Sequence, residues 1–232
     1  VSMASGTSSW TEAANIEALQ DAAITAQGGQ AYCTQAVLEE GGYQGMFTAF
    51  EATGVPDGAG GIAVDAATFT AMDTATQTAT VDGVIAGGIQ ANMFASFAAN
   101  GVPDGSGGFT LTADAFNALS TSDQTTTVGT AYNALDATTL AAYQSEAKLG
   151  AIATGLSVSM ASGTSSWTEA ANIEALQDAA ITAQGGQAYC TQAVLEEGGY
   201  QGMFTAFEAT GVPDGAGGIA VDAATFTAMD TA

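Results

Sequence analysis

The chain contains a long internal duplication, since residues 158–232 repeat residues 1–75 without a single substitution. Residue 158 aligns with residue 1, so the period is 157 residues and Trp10 returns as Trp167. Repetition at a fixed period is typical of architectures in which like units follow one another along the chain. The second copy stops at Ala232, in the middle of a segment. We therefore expect the sequence to be a window of a longer tandem array.

A weaker repetition lies inside the period. Residues 46–82 and 93–129 share Met-Phe-x-x-Phe followed by Gly-Val-Pro-Asp-Gly-x-Gly-Gly. A fainter third copy aligns Ile16 with Phe69 and Phe116. The period is therefore interpreted as a pseudo-threefold repeat of modules of roughly fifty residues each.

Apolar spacing predicts a mainly α fold, with three short helices in each module. In the first module Ser9 and Glu12 match a capping box, which would start a helix at that point. A second helix is expected over 30–40, stopped by the Gly41-Gly42 pair. A third is expected over 43–53, ended by a glycine in the left-handed region.

The last helix of the period is expected from Ala137 to Leu149, with Asp136 as its cap and Gly150 after it. The segment that follows is rich in Ser, Gly and Ala and is predicted to be a linker. Ile152, Leu156, Val158 and Met160 alternate within it, which also favours an extended segment that packs on a neighbouring unit.

The predicted organisation has four parts. They are the end of a linker (1–8), a helical unit (9–149), the Ser/Gly/Ala-rich linker (150–165) and the start of the next unit (166–232). Within the helical unit the three modules are expected over 9–61, 62–108 and 109–149. We expect successive units to associate end to end through the linker.

A β structure is the alternative for part of the chain. Threonines occupy every even position from Thr74 to Thr80, and alternation of this kind suits a strand. The three-residue spacing of Phe69 and Met72 favours a helix instead. We predict helix for this segment, with short strands confined to Ile62–Val64 and Phe109–Leu111.

The charge balance excludes several partners. The sequence has 24 acidic residues against Lys148, with no Arg and no His, for a net charge of −23. Nucleic acid and anionic membrane surfaces are bound mainly through Lys and Arg, so neither is an expected partner. The acid excess is interpreted as a solubility device, with binding of divalent cations as the alternative. A hydrophobic content of 47% argues against a disordered chain.

No segment of the sequence is predicted to span a membrane. The longest uncharged apolar stretch, from Gly83 to Val102, is interrupted by polar residues and glycines. Each period has one cysteine, Cys33 and its copy Cys190. A single cysteine cannot form a bridge within its own unit, so we expect a buried thiol, with pairing between chains as the alternative.

The motif Gly-Val-Pro-Asp-Gly-x-Gly-Gly is predicted to form a structural turn, because Pro presets φ, Asp bonds to its own backbone and Gly accepts positive φ. The turn residues of the first two modules are Pro56, Asp57, Gly58, Pro103, Asp104 and Gly105. A calcium loop is the alternative, with Asp57, Asp104 and Asp214 as weak candidate ligands. The other ligand positions of an EF-hand loop hold Val and Ala, so no metal site is predicted.

No catalytic residue is predicted. The sequence has no histidine to activate a serine or cysteine, and it has no phosphate-binding Gly-Lys-Ser/Thr motif. The acidic pairs, such as Glu39-Glu40, are interpreted as solvated helix faces. We expect no enzyme activity and no cofactor, with calcium as the remaining alternative.

Four phenylalanines are the predicted core. Phe47 and Phe50 are three residues apart, as are Phe94 and Phe97, so each pair lies on one face of a helix. The same pattern in two modules favours burial over a binding surface.

These features favour a structural protein, a tandem-repeat component of an extracellular filament, fibre or surface stalk. Its expected partner is itself, through neighbouring repeats or chains, and the Thr and Ser density leaves O-linked glycans open. One alternative is a multivalent adhesive or ligand-binding surface protein. A second is an engineered duplication of one domain. The expected location is extracellular or at the cell surface.

Overall fold

A computed structural model describes residues 1–30, 33–186 and 190–229. The described chain divides into two compact units. One comprises residues 1–34 together with 177–232, and the other comprises residues 35–176. The described residues are mainly helical with a few short strands, which confirms the predicted fold class at that level. The predicted boundaries of units and linkers stay a prediction.

The elements, in chain order, are α1 (Ala13–Ala26), α2 (Gln35–Thr53), β1 (Val55–Pro56), β2 (Ile62–Val64), α3 (Ala66–Ala71), α4 (Thr74–Asn100), β3 (Val102–Pro103), β4 (Phe109–Leu111), α5 (Ala113–Asn117), α6 (Thr121–Asn133), α7 (Ala137–Leu156), α8 (Ala170–Ala183), α9 (Gln192–Thr210), β5 (Val212–Pro213), β6 (Ile219–Val221) and α10 (Ala223–Thr227). The strands β2 and β4 coincide with the predicted ones. The threonine-rich segment after Asp73 is helical, as predicted, and belongs to α4.

The glycine-rich motif forms the same antiparallel hairpin three times. Val55 pairs with Val64 in the first, Val102 with Leu111 in the second and Val212 with Val221 in the third. A short helix follows each hairpin. After the first and third hairpins the N-cap of this short helix is an Asp. In the first, the Asp65 side chain accepts a hydrogen bond from Thr68 N at 2.9 Å. The motif therefore links a long helix to a short one through a hairpin whose ends are both defined by local hydrogen bonds.

The second and third predicted helices of the first module are one helix. α2 runs from Gln35 through Gly41-Gly42 to Thr53, so the predicted stop at the glycine pair was wrong. Glycine inside a helix costs about 1 kcal/mol relative to alanine, which weakens a helix without necessarily ending it. The helix does end before Gly54, which has φ +87° as expected of a glycine stop. The module 62–108 likewise holds two helices, α3 and α4, rather than the predicted three.

The first helix begins later than predicted. α1 starts at Ala13, and its N-cap residue Glu12 lies three residues after the predicted cap Ser9. The Glu12 carboxylate nevertheless reaches back and accepts hydrogen bonds from Ser8 N at 2.6 Å and Ser9 N at 2.8 Å. Half of the predicted capping box is thus present, and it orders the turn before the helix.

The last helix of the period extends beyond its predicted end. Asp136 caps it through a 2.9 Å bond from Thr139 N, as predicted, but α7 continues through Gly150 to Leu156. Ser157 ends it in the left-handed region with φ 57°. Ile152 is buried in this extension. The prediction of an extended segment from Ile152 to Leu156 was therefore wrong, because a buried apolar face keeps the residues after Gly150 helical.

The core of the unit 35–176 is one apolar cluster around α4. Its buried members are Phe50, Val55, Phe69, Val81, Ile85, Ile89, Met93, Phe97, Val102, Phe116 and Val128. Phe69 and Phe116 are fully buried, and each meets a phenylalanine of the preceding long helix, Phe50 or Phe97, edge to face. The short helices after the hairpins thus supply the central aromatic ring of each half of the core.

Helices α2 and α7 pack closely in the same unit. Gly42 is buried on α2, and a Cβ built there would lie 2.0 Å from the Lys148 carbonyl oxygen. The Lys148 ammonium lies 5.2 Å from the centre of the Tyr43 ring, and the Tyr43 hydroxyl donates to Asp82 at 2.9 Å. Burial and that hydrogen bond raise the pKa of Tyr43 to about 12. The single cationic side chain of the sequence therefore lies at this helix contact.

None of the helices in the described ranges is both long enough and apolar enough to cross a membrane.

Candidate functional site

The three Pro-Asp-Gly loops use their carboxylates internally. Asp57 Oδ1 accepts from Ala59 N at 2.7 Å and Gly61 N at 2.8 Å. A Cβ at Gly61 would lie 2.5 Å from the Asp57 carboxylate, so any larger residue there would have to displace this carboxylate. Asp104 and Asp214 make the corresponding bonds in their own loops.

These loop hydrogen bonds also set the acidity of the loops. They lower the pKa of all three carboxyl groups, because backbone N–H donors favour the charged form. Across the described ranges there is no group of three or more His, Cys, Asp or Glu side chains arranged to hold a metal ion. Gly58 and Gly105 lie in the turns between the paired strands, whereas Pro56 and Pro103, also predicted as turn residues, end β1 and β3 and pair with Ile62 and Phe109. What the geometry provides is a rigid turn with one carboxylate at its centre.

The four phenylalanines lie in the core cluster of the unit 35–176. Phe50 and Phe97 are buried, with 6% and 5% of their surfaces exposed. Phe47 and Phe94 are half-buried and pack against the same cluster. The two pairs meet Phe69 and Phe116 respectively. Their surroundings are apolar side chains of this unit.

The end of one copy holds the beginning of the next through Glu146. Trp167 N donates to both carboxylate oxygens of Glu146 at 2.9 Å, and Ser166 Oγ donates at 2.6 Å. Gly150, one turn further along α7, faces the Trp167 indole, since a Cβ there would lie 3.3 Å from Nε1. Trp10, the first-copy equivalent, is 41% exposed, whereas Trp167 is half-buried. Sequence reasoning missed this contact. A signal for it was present, because Glu146 is the one acidic residue between Asp136 and the repeated Ser166-Trp167.

The turn that precedes Trp10 and Trp167 has the same internal structure in both copies. Asn172 is fully buried and accepts from Ala161 N at 2.7 Å, while its amide donates to Thr164 Oγ1 at 2.8 Å and Ser166 O at 2.7 Å. Asn15 makes the equivalent bonds in the first copy. Because these bonds are local, the turn is folded by its own sequence, and Glu146 binds a preformed structure.

A groove of about 1160 Å³ borders this junction within the unit 35–176. Its lining includes apolar side chains and two acidic residues, among them Met93, Phe97, Leu135, Tyr143, Trp167, Asp104 and Glu146. Tyr143 is 43% exposed. A groove of this size and composition has room for an apolar ligand or a side chain of another molecule.

Equivalent segments of the two copies also meet in the unit 1–34 with 177–232. Cys33 and Cys190 are both buried, and their Sγ atoms are 2.8 Å apart. The Gln20 side chain donates to the Cys190 carbonyl, and its equivalent Gln177 donates to the Cys33 carbonyl at 2.5 Å. The predicted burial of the thiols agrees with this position. The sequence did not predict a contact between two cysteines of one chain, because each copy was expected to fold as a separate unit.

The chain matches no protein-family model, and the searches found no similar curated protein and no similar solved structure.

Proposed function

We propose that this chain belongs to a tandem-repeat structural protein that forms an extracellular filament, fibre or surface stalk. In that protein the 157-residue period is the structural unit, and every unit is built from three divergent modules. Its partner is itself, and its location is extracellular or at the cell surface, as befits that class.

The observation that carries the proposal is that one sequence has two different environments. α2 and α9 are identical in sequence, and α7 covers α2. Phe50 on α2 is 6% exposed, whereas α9 has no buried residue, and its Tyr200 and Met203 are 56% and 54% exposed. Tyr43 and Met46, their equivalents on α2, are half-buried. A further helix with the sequence of α7 would cover the same face of α9, as an array of complete periods provides.

The Glu146 contact supports propagation along the array. Each copy would end in a carboxylate that binds the first turn of the next copy, so the contact has a direction and does not close on itself. Repeat proteins built from nearest-neighbour contacts of this kind grow in length with each added unit. The high negative charge would keep neighbouring arrays dispersed until they assemble.

The test is a series of proteins with two, three and four complete periods, studied by small-angle X-ray scattering and electron microscopy. The proposal expects the longest dimension to increase by a constant increment with each added period. Hydrogen exchange in α9 should slow at least tenfold once the second period is completed, because α9 is then covered. Particles whose longest dimension does not grow with the number of periods would contradict the proposal.

A ligand-binding role is the second candidate, and the groove beside Trp167 is the observation that favours it. Repeated in an array, the groove would present many equivalent sites. Titration with an apolar fluorescent dye, read through Trp167 in a Trp10→Phe background, tests it. A saturable change in Trp167 fluorescence that Tyr143→Ala abolishes would favour the ligand-binding role. No change in fluorescence would contradict it and leave the structural role as the single candidate.

A further inference from the structure

We propose that the residues around Cys33 and their repeated equivalents around Cys190 form a self-recognising pair that is closed by a disulfide bond between the two cysteines. The inference goes beyond the structural role proposed above and does not depend on it. The site is a covalent link between two consecutive copies, and its oxidant is a low-molecular-weight disulfide such as oxidised glutathione.

The contacts have the form of a two-fold symmetric interface. Gln20 donates to the Cys190 carbonyl and Gln177 donates to the Cys33 carbonyl, and the two glutamines are one period apart, as are the two cysteines. In such an interface residue i of one copy contacts residue j of the other, and j contacts i in return. The surface is therefore complementary to a second copy of itself. Two thiols that lay close together by chance would not need these reciprocal glutamine bonds.

The sulfur atoms are placed for bond formation. Their 2.8 Å separation is about 0.8 Å longer than a disulfide bond of about 2.05 Å. Ala180 and both cysteines are buried, so the pair is shielded from water. Gln30 adds a side-chain bond to Asp178 at 2.8 Å at the rim of the contact. Small movements of two side chains would join the sulfurs without separating the copies.

The exchange proceeds in two steps. The thiolate of one cysteine attacks a sulfur of oxidised glutathione, which forms a mixed disulfide and releases one glutathione thiolate. The thiolate of the other cysteine then attacks the protein-side sulfur of the mixed disulfide and releases the second glutathione. Two protein thiols lose two protons and two electrons, and one oxidised glutathione becomes two reduced glutathiones.

Burial makes the exchange slow at neutral pH. It raises the pKa of Cys33 to about 12, and contact with Cys190 acts in the same direction. The attacking thiolate is therefore scarce while the pair is closed. We expect the bond to form faster as the pH rises, because the thiolate fraction of the pair increases with pH throughout the range below its raised pKa.

The test uses the position of the single lysine. The sequence has one Lys and no Arg, and Lys148 lies between Cys33 and Cys190. The reduced chain is incubated with oxidised glutathione, free thiols are blocked by alkylation, and the denatured product is cut with trypsin. The proposal expects residues 1–148 and 149–232 to remain joined without reductant and to separate with it. The intact chain should be a monomer lighter by two hydrogens, at a yield independent of protein concentration.

Two sets of variants separate the interface from a simple thiol encounter. Cys33→Ser and Cys190→Ser should each release the two fragments without reductant. The double variant Gln20→Ala with Gln177→Ala should lower the ratio of disulfide to dithiol in a glutathione buffer by roughly tenfold, because both reciprocal bonds are lost. The matched control is Gln27→Ala with Gln184→Ala, two exposed positions in the same copies.

Three results would overturn the inference. One is that both thiols of the native chain are alkylated and no joined fragments appear. Another is that the disulfides join different chains, which the mass of the undigested product would show as a dimer. The third is that the Gln20 and Gln177 variant matches its control, since the reciprocal contact would then contribute nothing to the pair. Circular dichroism of each variant verifies that the helices are retained.

Discussion

Gly42 and Lys148 approach so closely that a single added carbon at Gly42 would overlap the Lys148 carbonyl oxygen, at 2.0 Å. The backbones of α2 and α7 approach closely at this point because the buried residue on α2 is a glycine. The same glycine in the second copy, Gly199, has no atom within 4 Å of the corresponding position. Gly42 and Gly199 therefore allow the same substitution to be compared in two environments.

Gly42→Ala is expected to destabilise the protein by about 1–3 kcal/mol, because the two helices must move apart to admit the methyl group. Gly199→Ala is expected to be neutral or to stabilise α9 by up to about 1 kcal/mol, since alanine is the better helix former where space is open. Chemical denaturation followed by circular dichroism measures both. Equal effects in the two copies would show that the α2–α7 contact is absent in solution.

Loss of the Glu146 carboxylate should release Trp167. Glu146→Ala removes three hydrogen bonds to an ionised group, so the first turn of the second copy should loosen by about 1.5–3 kcal/mol. In a Trp10→Phe background, acrylamide should quench the remaining fluorescence more strongly after the substitution. In a Trp167→Phe background the same substitution should leave the Trp10 signal unchanged. A change in the quenching of Trp10, with none in that of Trp167, would contradict the contact between Glu146 and Trp167.

Phe50 and Phe207 are equivalent residues, and truncating them should have unequal costs. Phe50→Ala should cost about 3–5 kcal/mol, because a buried ring is removed from a packed cluster. Phe207 is half-buried, so Phe207→Ala should cost less. Both rings meet a phenylalanine of the following short helix edge to face, which makes the local contact the same. The difference between the two free energies of unfolding therefore reports the packing of Phe50 in the cluster around α4, which Phe207 lacks.

The capped turns should make the fold sensitive to acid. Backbone N–H bonds lower the pKa of Asp57, Asp65, Asp73, Asp104 and Asp136 below the ordinary value of 3.8. A lowered folded-state pKa contributes stability above the unfolded pKa, and this contribution is lost as the pH falls through the folded value. The thermal midpoint should thus be flat above about pH 5 and fall below about pH 4. Asp57→Asn with Asp104→Asn should reduce the pH dependence, and an unchanged profile would contradict the assignment.

The loops are expected to lack a tight calcium site. Calcium takes six to eight oxygen ligands, and each loop centres on one carboxylate that already accepts two backbone bonds. Calorimetric titration should show no site with a Kd below about 10 μM. Weak association that disappears in monovalent salt would be diffuse binding to the acidic surface. A saturable, salt-resistant site lost in Asp57→Asn and Asp104→Asn would contradict this expectation.

The sequence by itself determined the features that depend on a few neighbouring residues. The helical class, the strands Ile62–Val64 and Phe109–Leu111, the stop at Gly54 and the cap at Asp136 were all predictable. Each is produced by local hydrogen bonds, fixed φ angles or the spacing of apolar residues, so the information lies within one or two turns of chain.

Only the tertiary structure decided which helices continue through a glycine and which side chains are covered. α2 passes through Gly41-Gly42 because packing on α7 offsets the weak helix propensity of glycine, and α7 passes through Gly150 because Ile152 is buried beyond it. No local pattern distinguishes Tyr43 from Tyr200, since their sequences are identical, yet one is half-buried and the other exposed. Burial depends on which distant segment is present to pack, and that is a property of the assembled repeat.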